Sequence, residues 1–372
     1  MKNEKLLEQE FLENINPAVR KMSPYSVGGG QAAEIKLNQN ENPYDLPASL
    51  KRDILNAFCN EAWNRYPNVF PSQAIERYAK FLGVPKECVI MGNGSNELIY
   101  TIFMATLRRG ASVLIPSPSF SLYEKVATLL EADVLKVAMT AELEFQVKEI
   151  IEEAERSRPN LIVLSTANNP TSKSISIEAI EDVLANTRAL VLVDEAYIEF
   201  SKQQSALKLL DRYSNLIVLR TFSKAFGLAG IRIGFAIAQA PLTAELLKPK
   251  IPFATSRLAE IAVVKLLENY HLVQEAVSAI LQERERVYSE LKKIQSIKTH
   301  ESDTNFFILE VENPTRIFNE LKAKGVLVRD VSSYPLMEKC VRVNVGTREE
   351  NERFLAALND IITNEQTPIR TN

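Results

Sequence analysis

Short apolar runs separated by segments of helical period predict an α/β protein with a mostly parallel sheet. The runs are Val113-Leu-Ile115, Leu161-Ile-Val-Leu164, Leu190-Val-Leu-Val193, Leu216-Ile-Val-Leu219 and Phe235-Ala-Ile237. They are continuous rather than alternating, the pattern of strands buried on both faces of a parallel sheet. The segments between them, Ser174 to Asn186 for example, have helical periodicity, and strands alternating with helices define this class. A third observation is where the polar residues fall. Ligand groups in open α/β sheets gather at the carboxyl ends of strands. Here Ser117-Pro-Ser-Phe120, Asn168-Asn-Pro170, Asp194-Glu-Ala-Tyr197 and Thr221-Phe-Ser-Lys224 each follow such a run.

The texture changes near Ala254. Leu258 to Leu291 lacks Gly and Pro and reads as long amphipathic helices. Strands are predicted at Asn305–Leu309, Val326–Arg329 and Val341–Val345, with helices at Thr315–Lys324 and Glu349–Thr363. This order suggests a small α+β domain ending in a polar, frayed tail from Thr363 to Asn372. The 372 residues suffice for two domains at roughly 100–200 residues each.

Composition narrows the function. Hydrophobic residues make up 46% and charged residues 24%, an ordinary globular balance. A net charge of −3 offers no basic field for nucleic acid. No apolar run approaches the ~18 residues of a membrane span, and the charged N-terminus lacks a signal-peptide core. Cys59, Cys88 and Cys340 form neither a disulfide framework nor a zinc pattern, so a cytoplasmic setting is expected. His271 and His300 have no motif around them, which leaves the chemistry to Lys, Asp, Tyr, Asn and Arg.

Lys224 lies among small and apolar residues between two strands, in Arg220-Thr-Phe-Ser-Lys-Ala-Phe-Gly-Leu-Ala-Gly-Ile-Arg232. Desolvation and a nearby fixed cation lower an amine pKa, and such a lysine forms a Schiff base with an aldehyde. Ser223 and Arg232 suit a phosphate, and an aldehyde carrying a phosphate describes pyridoxal 5'-phosphate (PLP). Asp194 ends a buried strand, where a carboxylate needs a partner. A pyridinium nitrogen would serve, as would a helix cap or an arginine. Gly92-Asn-Gly-Ser-Asn-Glu97 opens a helical run and could cradle a phosphate with backbone N–H groups, or be a plain glycine turn. Phe120 could stack on a flat ring, and Tyr197 and Asn169 could bond a phenolic oxygen. Arg329 and Arg342, in or beside apolar strands, suit a bidentate anion or a structural ion pair.

In this order the segments resemble the aspartate-aminotransferase-type PLP enzymes of fold type I and, within them, the histidinol-phosphate aminotransferase family. The specific parts are Ser23-Pro-Tyr25, Leu37-Asn-Gln-Asn-Glu-Asn-Pro43, Arg65-Tyr-Pro67, Asn168-Asn-Pro-Thr171, Val193–Tyr197, the Lys224 run and Val345-Gly-Thr-Arg348. The resemblance implies a large α/β domain over 46–253 with a seven-stranded sheet, and a small domain combining 1–45 with 254–372. It implies that Lys224 is the Schiff-base lysine and proton shuttle, Asp194 the pyridinium partner, Tyr197 and Asn169 the phenolic-oxygen contacts, and Phe120 the stacking ring. Gly94, Ser95, Asn96, Ser223 and Arg232 match phosphate-cradle positions. Tyr66 matches a tyrosine that reaches the neighbouring subunit's cofactor, implying a homodimer with shared sites. Tyr25, Asn42, Arg329 and Arg342 match substrate contacts. The implied reaction exchanges an amino group between L-histidinol phosphate and 2-oxoglutarate, giving imidazole acetol phosphate and glutamate. An aromatic aminotransferase and a threonine-phosphate decarboxylase share the scaffold. Three positions depart from the pattern. Phe120 replaces a frequent tyrosine, Ser172 replaces glycine after Asn-Asn-Pro-Thr, and Ser95-Asn96 stands where relatives often have an acidic residue.

Overall fold

The computed structural model describes residues 11–24 and 33–366. Its centre is a seven-stranded sheet. The N-terminal segment contributes β1 (Ile35–Lys36), and the sheet itself is built from β2 (Val89–Gly92), β3 (Ser112–Ser117), β4 (Asp133–Ala138), β5 (Leu161–Ser165), β6 (Leu190–Asp194), β7 (Leu216–Thr221) and β8 (Gly234–Ala238). The spatial order is β2-β8-β7-β6-β5-β3-β4, and only β8 runs antiparallel to its neighbours. The central strands β5, β6 and β7 are buried almost throughout, as continuous apolar runs require.

The antiparallel β8 has a local cause. A short connection after β7 turns the chain straight back, with Thr221 paired to Gly234. Gly234 also pairs with Gly92 at the end of β2. The carboxyl ends of β2, β6 and β7 and the start of β8 therefore meet along one edge, and Lys224 sits in the turn. The sheet departs from the sequence expectation in β4, which pairs only with β3 and exposes Asp133, Lys136 and Ala138. These exposed positions on an edge strand break the continuous apolar signature.

After the helices Arg257–Glu268 and His271–Leu291 comes a second, antiparallel sheet of β9 (Lys298–Thr299), β10 (Phe306–Glu310), β12 (Arg329–Asp330) and β13 (Cys340–Asn344), ordered β12-β13-β10-β9. The short β11 (Val326–Leu327) pairs in parallel with β1, so the N-terminal segment is stitched to the C-terminal part of the chain. Asn344 N–H donates to Leu37 O at 3.0 Å and extends this contact. The last helix runs Arg348–Gln366, three residues past the predicted end; the rest of the expected tail lies outside the described residues.

At the end of β7 lies a buried ionic cluster that no motif announced. Arg220 at the end of β7 pairs with Glu195 at 2.8 Å and Glu199 at 3.1 Å, and donates to Ser205 Oγ at 2.9 Å. Glu195 also accepts from Ala206 N–H. Removing one partner would strand a buried charge, which is strongly destabilising. The cluster ties the residues after β6 to β7, the two strands that carry Asp194 and Lys224.

Candidate active site

Lys224 occupies the turn after β7, and its Nζ donates to Gln39 O at 2.8 Å. Burial, reinforced by the Arg342 and Arg232 guanidiniums and opposed by Glu41, lowers its pKa to about 7. The amine is therefore substantially neutral, hence nucleophilic, near physiological pH.

Asp194 closes β6. Its Oδ2 accepts from Tyr123 Oη at 2.6 Å and its Oδ1 from Ala196 N–H at 3.0 Å. Burial raises its pKa to about 6 against the pull of these two bonds. Among the described residues no cation pairs with this buried carboxylate, and a protonated ring nitrogen would supply one. Tyr123 was not foreseen. It is fully buried on the helix Leu122–Leu129, where a tyrosine reads as core, and only the Asp194 contact marks it out. Tyr123 also meets the Phe120 ring edge-on at 5.7 Å, so one side chain fixes both Asp194 and the expected stacking ring.

The next group joins the two sheets. Arg342 on β13 donates to Asn169 Oδ1 at 2.6 Å and to Asn38 O at 2.8 Å, and lies over the Phe306 ring at 5.3 Å. Because Asn169 uses its oxygen on Arg342, its NH2 group is the end left to donate. Arg329 pairs directly across from Arg342 in the β12–β13 register, so both guanidiniums project from one face of the sheet. Tyr197 lies beneath the Lys224 amine, 6.0 Å from Nζ to ring centre, and its hydroxyl accepts from Asn40 Nδ2 at 2.8 Å.

A third group gathers at the start of the helix Gly94–Thr106, which follows β2. Arg232 donates to Ser223 Oγ at 3.1 Å and to Ala229 O at 3.0 Å. Gly94 has φ +80°, and a Cβ there would collide with Arg232 Nη2. The glycine therefore lets the Arg232 guanidinium lie against the start of a helix, close to its first N–H groups, an arrangement suited to an anion. Ser95 lies at the same helix end and its backbone packs on Gly234, whereas the Asn96 side chain is exposed.

Other expectations meet a different geometry. The Asn42 amide is spent on backbone: Nδ2 donates to Ala225 O at 3.0 Å and Oδ1 accepts from Tyr44 N–H at 2.9 Å. It braces the turn after Lys224, a role its expected place among the substrate contacts did not suggest. Tyr66 is 83% exposed and stacked on Phe253 at 4.8 Å. Tyr25 lies outside the described residues. Ser172 has φ +64°, so a serine does occupy a glycine-like conformation; its Oγ donates to Glu301 O at 3.3 Å and its carbonyl accepts from Asp303 N–H at 3.1 Å. The Leu37–Pro43 segment proves richer than expected, for Asn38 O, Gln39 O, Asn40 Nδ2 and Asn42 Nδ2 reach Arg342, Lys224, Tyr197 and Ala225 in turn.

A desolvated lysine, a buried carboxylate and an anion cradle along one sheet edge define a site for transferring amino groups. The chain belongs to the family described as aminotransferase class I and II, whose pattern matches residues 32–358. Among its relatives, the histidinol-phosphate aminotransferase of Chlorobaculum tepidum is 60% identical over 344 residues, covering 92% of this chain and 99% of that protein. The enzyme of the same name from Chlorobium chlorochromatii is 55% identical, covering 93% and 96%. The fold matches the crystal structure of histidinol-phosphate aminotransferase from Sinorhizobium meliloti in complex with pyridoxal-5'-phosphate, with TM-score 0.86, 21% identity and coverage of 95% and 98%. L-threonine-O-3-phosphate decarboxylase from Porphyromonas gingivalis shares the fold at TM-score 0.78 and 21% identity, covering 88% and 99%.

Proposed function

We propose that this chain is a PLP-dependent aminotransferase of histidine biosynthesis that moves the amino group of L-histidinol phosphate to 2-oxoglutarate. The fold class and family support this, and so does 60% identity to a protein of that activity along nearly its whole length. The observation that carries the cofactor assignment is the fit of the residues. Gly94 lets the Arg232 guanidinium close on a helix start where a phosphate would bind, Asp194 is buried with no cation partner among the described residues, and Lys224 is held near neutrality.

In this reading Lys224 bonds the cofactor aldehyde, and Asp194 faces the ring nitrogen. Gly94, Ser95, Ser223 and Arg232 hold the phosphate, with Asn96 at the rim. Phe120 covers one ring face, and the Asn169 amide and Tyr197 hydroxyl face the phenolic oxygen. The bound cofactor supplies an electron sink that stabilises a carbanion at the substrate carbon bearing nitrogen. Lys224, once released as a free amine, would take the proton from that carbon and deliver it to the former aldehyde carbon of the cofactor, and a pKa of about 7 suits it to both roles. Arg342, with Arg329 on the same face, receives the phosphate of one substrate and the carboxylate of the other, since planar guanidiniums accept either anion. Tyr25 is assigned to the same anion by resemblance alone.

We also place this chain in a homodimer with shared sites. Tyr66 is exposed together with Trp63, Phe70 and Ile251, which suits a surface that a second copy covers. Among the described residues no helix is long and apolar enough to cross a membrane, and Cys59, Cys88 and Cys340 are all free, which suits the reducing cytoplasm.

The test is a steady-state assay with histidinol phosphate and 2-oxoglutarate that measures glutamate. Parallel double-reciprocal lines are expected, because one site serves two half-reactions. Absence of glutamate with PLP-saturated enzyme would defeat the assignment.

A further inference from the structure

Asn40 lies in the segment that crosses the site between β1 and the first large helix, and it is 1% exposed. Its backbone is left-handed, with φ +54°, a conformation that asparagine tolerates better than most residues. Asn305, just before β10, holds it there by donating Nδ2 to Asn40 O at 3.2 Å. Nδ2 of Asn40 then donates to Tyr197 Oη at 2.8 Å, while Asn40 Oδ1 is buried and has no partner among the described residues. This orientation is the less costly of the two. A bare amide oxygen is tolerated in protein interiors more readily than a bare N–H group. The hydroxyl of Tyr197 is thus an acceptor toward Asn40.

We infer that Asn40 is a positioning residue for the transamination: its amide turns the Tyr197 O–H away from the N-terminal segment and strengthens it as a donor to the phenolic oxygen of the cofactor. The inference rests on the assignment of Tyr197 given under Proposed function. Its physical basis is that a hydroxyl which accepts one hydrogen bond becomes a better donor of another. A carboxylate in place of the amide would do the opposite, because it can only accept and would draw the Tyr197 proton to itself. The charged groups about the pair are Lys224 over the Tyr197 ring, Glu41 next to Asn40, which acts on Lys224, and Arg342, which donates to Asn38 O two residues away.

The experiment uses the full-length protein loaded with PLP and follows the pH midpoint of the bound cofactor's visible absorbance, together with PLP affinity by titration of the cofactor-free protein. Donation to the phenolic oxygen stabilises its negative charge, which lowers this midpoint. Tyr197→Phe is expected to raise it by about one unit, and Asn40→Gly, which keeps the left-handed backbone accessible, by roughly half a unit. Combining Asn40→Gly with Tyr197→Phe should add no further shift, since the amide acts only through the phenol. Asn40→Asp preserves shape and backbone preference and serves if the glycine variant does not fold. It should raise the midpoint in the wild-type background more than in the Tyr197→Phe background. An Asn40→Gly effect that persists undiminished in the Tyr197→Phe background overturns the inference. So does a wild-type midpoint in the Asn40 variants beside a shifted Tyr197→Phe. An unshifted Tyr197→Phe removes Tyr197 from the phenolic oxygen and overturns the inference with it.

Discussion

At the scale of single residues, the proposed chemistry rests on Lys224 and Arg342, and both are set by what surrounds them. Lys224 has a pKa of about 7 mainly because it is buried. Uptake of PLP by the cofactor-free protein needs the neutral amine, so its rate should climb as pH rises through about 7 and level off above. A stopped-flow pH series checks this, and a midpoint near the ordinary lysine value of 10.5 would remove the desolvation argument. Arg342→Ala should raise the apparent KM for both histidinol phosphate and 2-oxoglutarate by roughly tenfold or more, the effect of losing one charge-assisted contact. A rise confined to one substrate would mean that the two anions do not share it. These residues were legible because lysine, aspartate and arginine are costly beside apolar strands and so draw attention. Tyr123 and Asn40 were not, because a tyrosine on an amphipathic helix and an asparagine in a loop look ordinary until their partners, Asp194 and Tyr197, are placed beside them.

At the scale of elements, strand ends do the positioning. The central strands were readable because burial on both faces leaves an unbroken apolar run, as in β5 to β7. The edge strand β4 was not, because exposed Asp133 and Lys136 break its apolar run, nor was the two-residue β1, too short to carry a period, while β11 and β12 fall on the single strand expected at Val326–Arg329. The helix beginning at Gly94 shows how an element end becomes a site. Its glycine combines a left-handed φ with contact to Arg232. Gly94→Ala should therefore strain the backbone and displace the guanidinium together. PLP binding, followed by absorbance titration, is expected to weaken by about tenfold or more, as a loss of at least ~1.4 kcal/mol implies. Unchanged affinity would place the phosphate elsewhere. Ser172 shows the converse case, in which a departure from the family pattern leaves the conformation intact, with φ +64° and a hydroxyl bonded to Glu301 O.

At the scale of the whole molecule, the N-terminal segment is the least legible and most informative part. Its polar motif suggested substrate contact by Asn42, and the structure uses that amide as a brace on the lysine turn and turns neighbouring groups toward Lys224, Tyr197 and Arg342. Long-range partners of this kind leave no periodic trace in sequence. The proposed shared-site dimer gives a prediction at this scale. Unfolding and refolding a mixture of Lys224→Ala and Tyr66→Ala chains should create hybrid dimers that each hold one intact site. Statistical pairing would then give about a quarter of wild-type activity from two impaired parents, as isologous two-fold assembly requires. No recovery above the parents would mean that each subunit is self-sufficient.

The central claim concerns which amine enters the site, and a single half-reaction addresses it. PLP-loaded protein, with no oxo acid present, is mixed separately with histidinol phosphate, phenylalanine and threonine phosphate while the cofactor's visible absorbance is followed. The account predicts rapid loss of that absorbance with histidinol phosphate at low concentration and a much slower response to the other two. Preferential reaction with phenylalanine, or release of CO₂ from threonine phosphate, would contradict it.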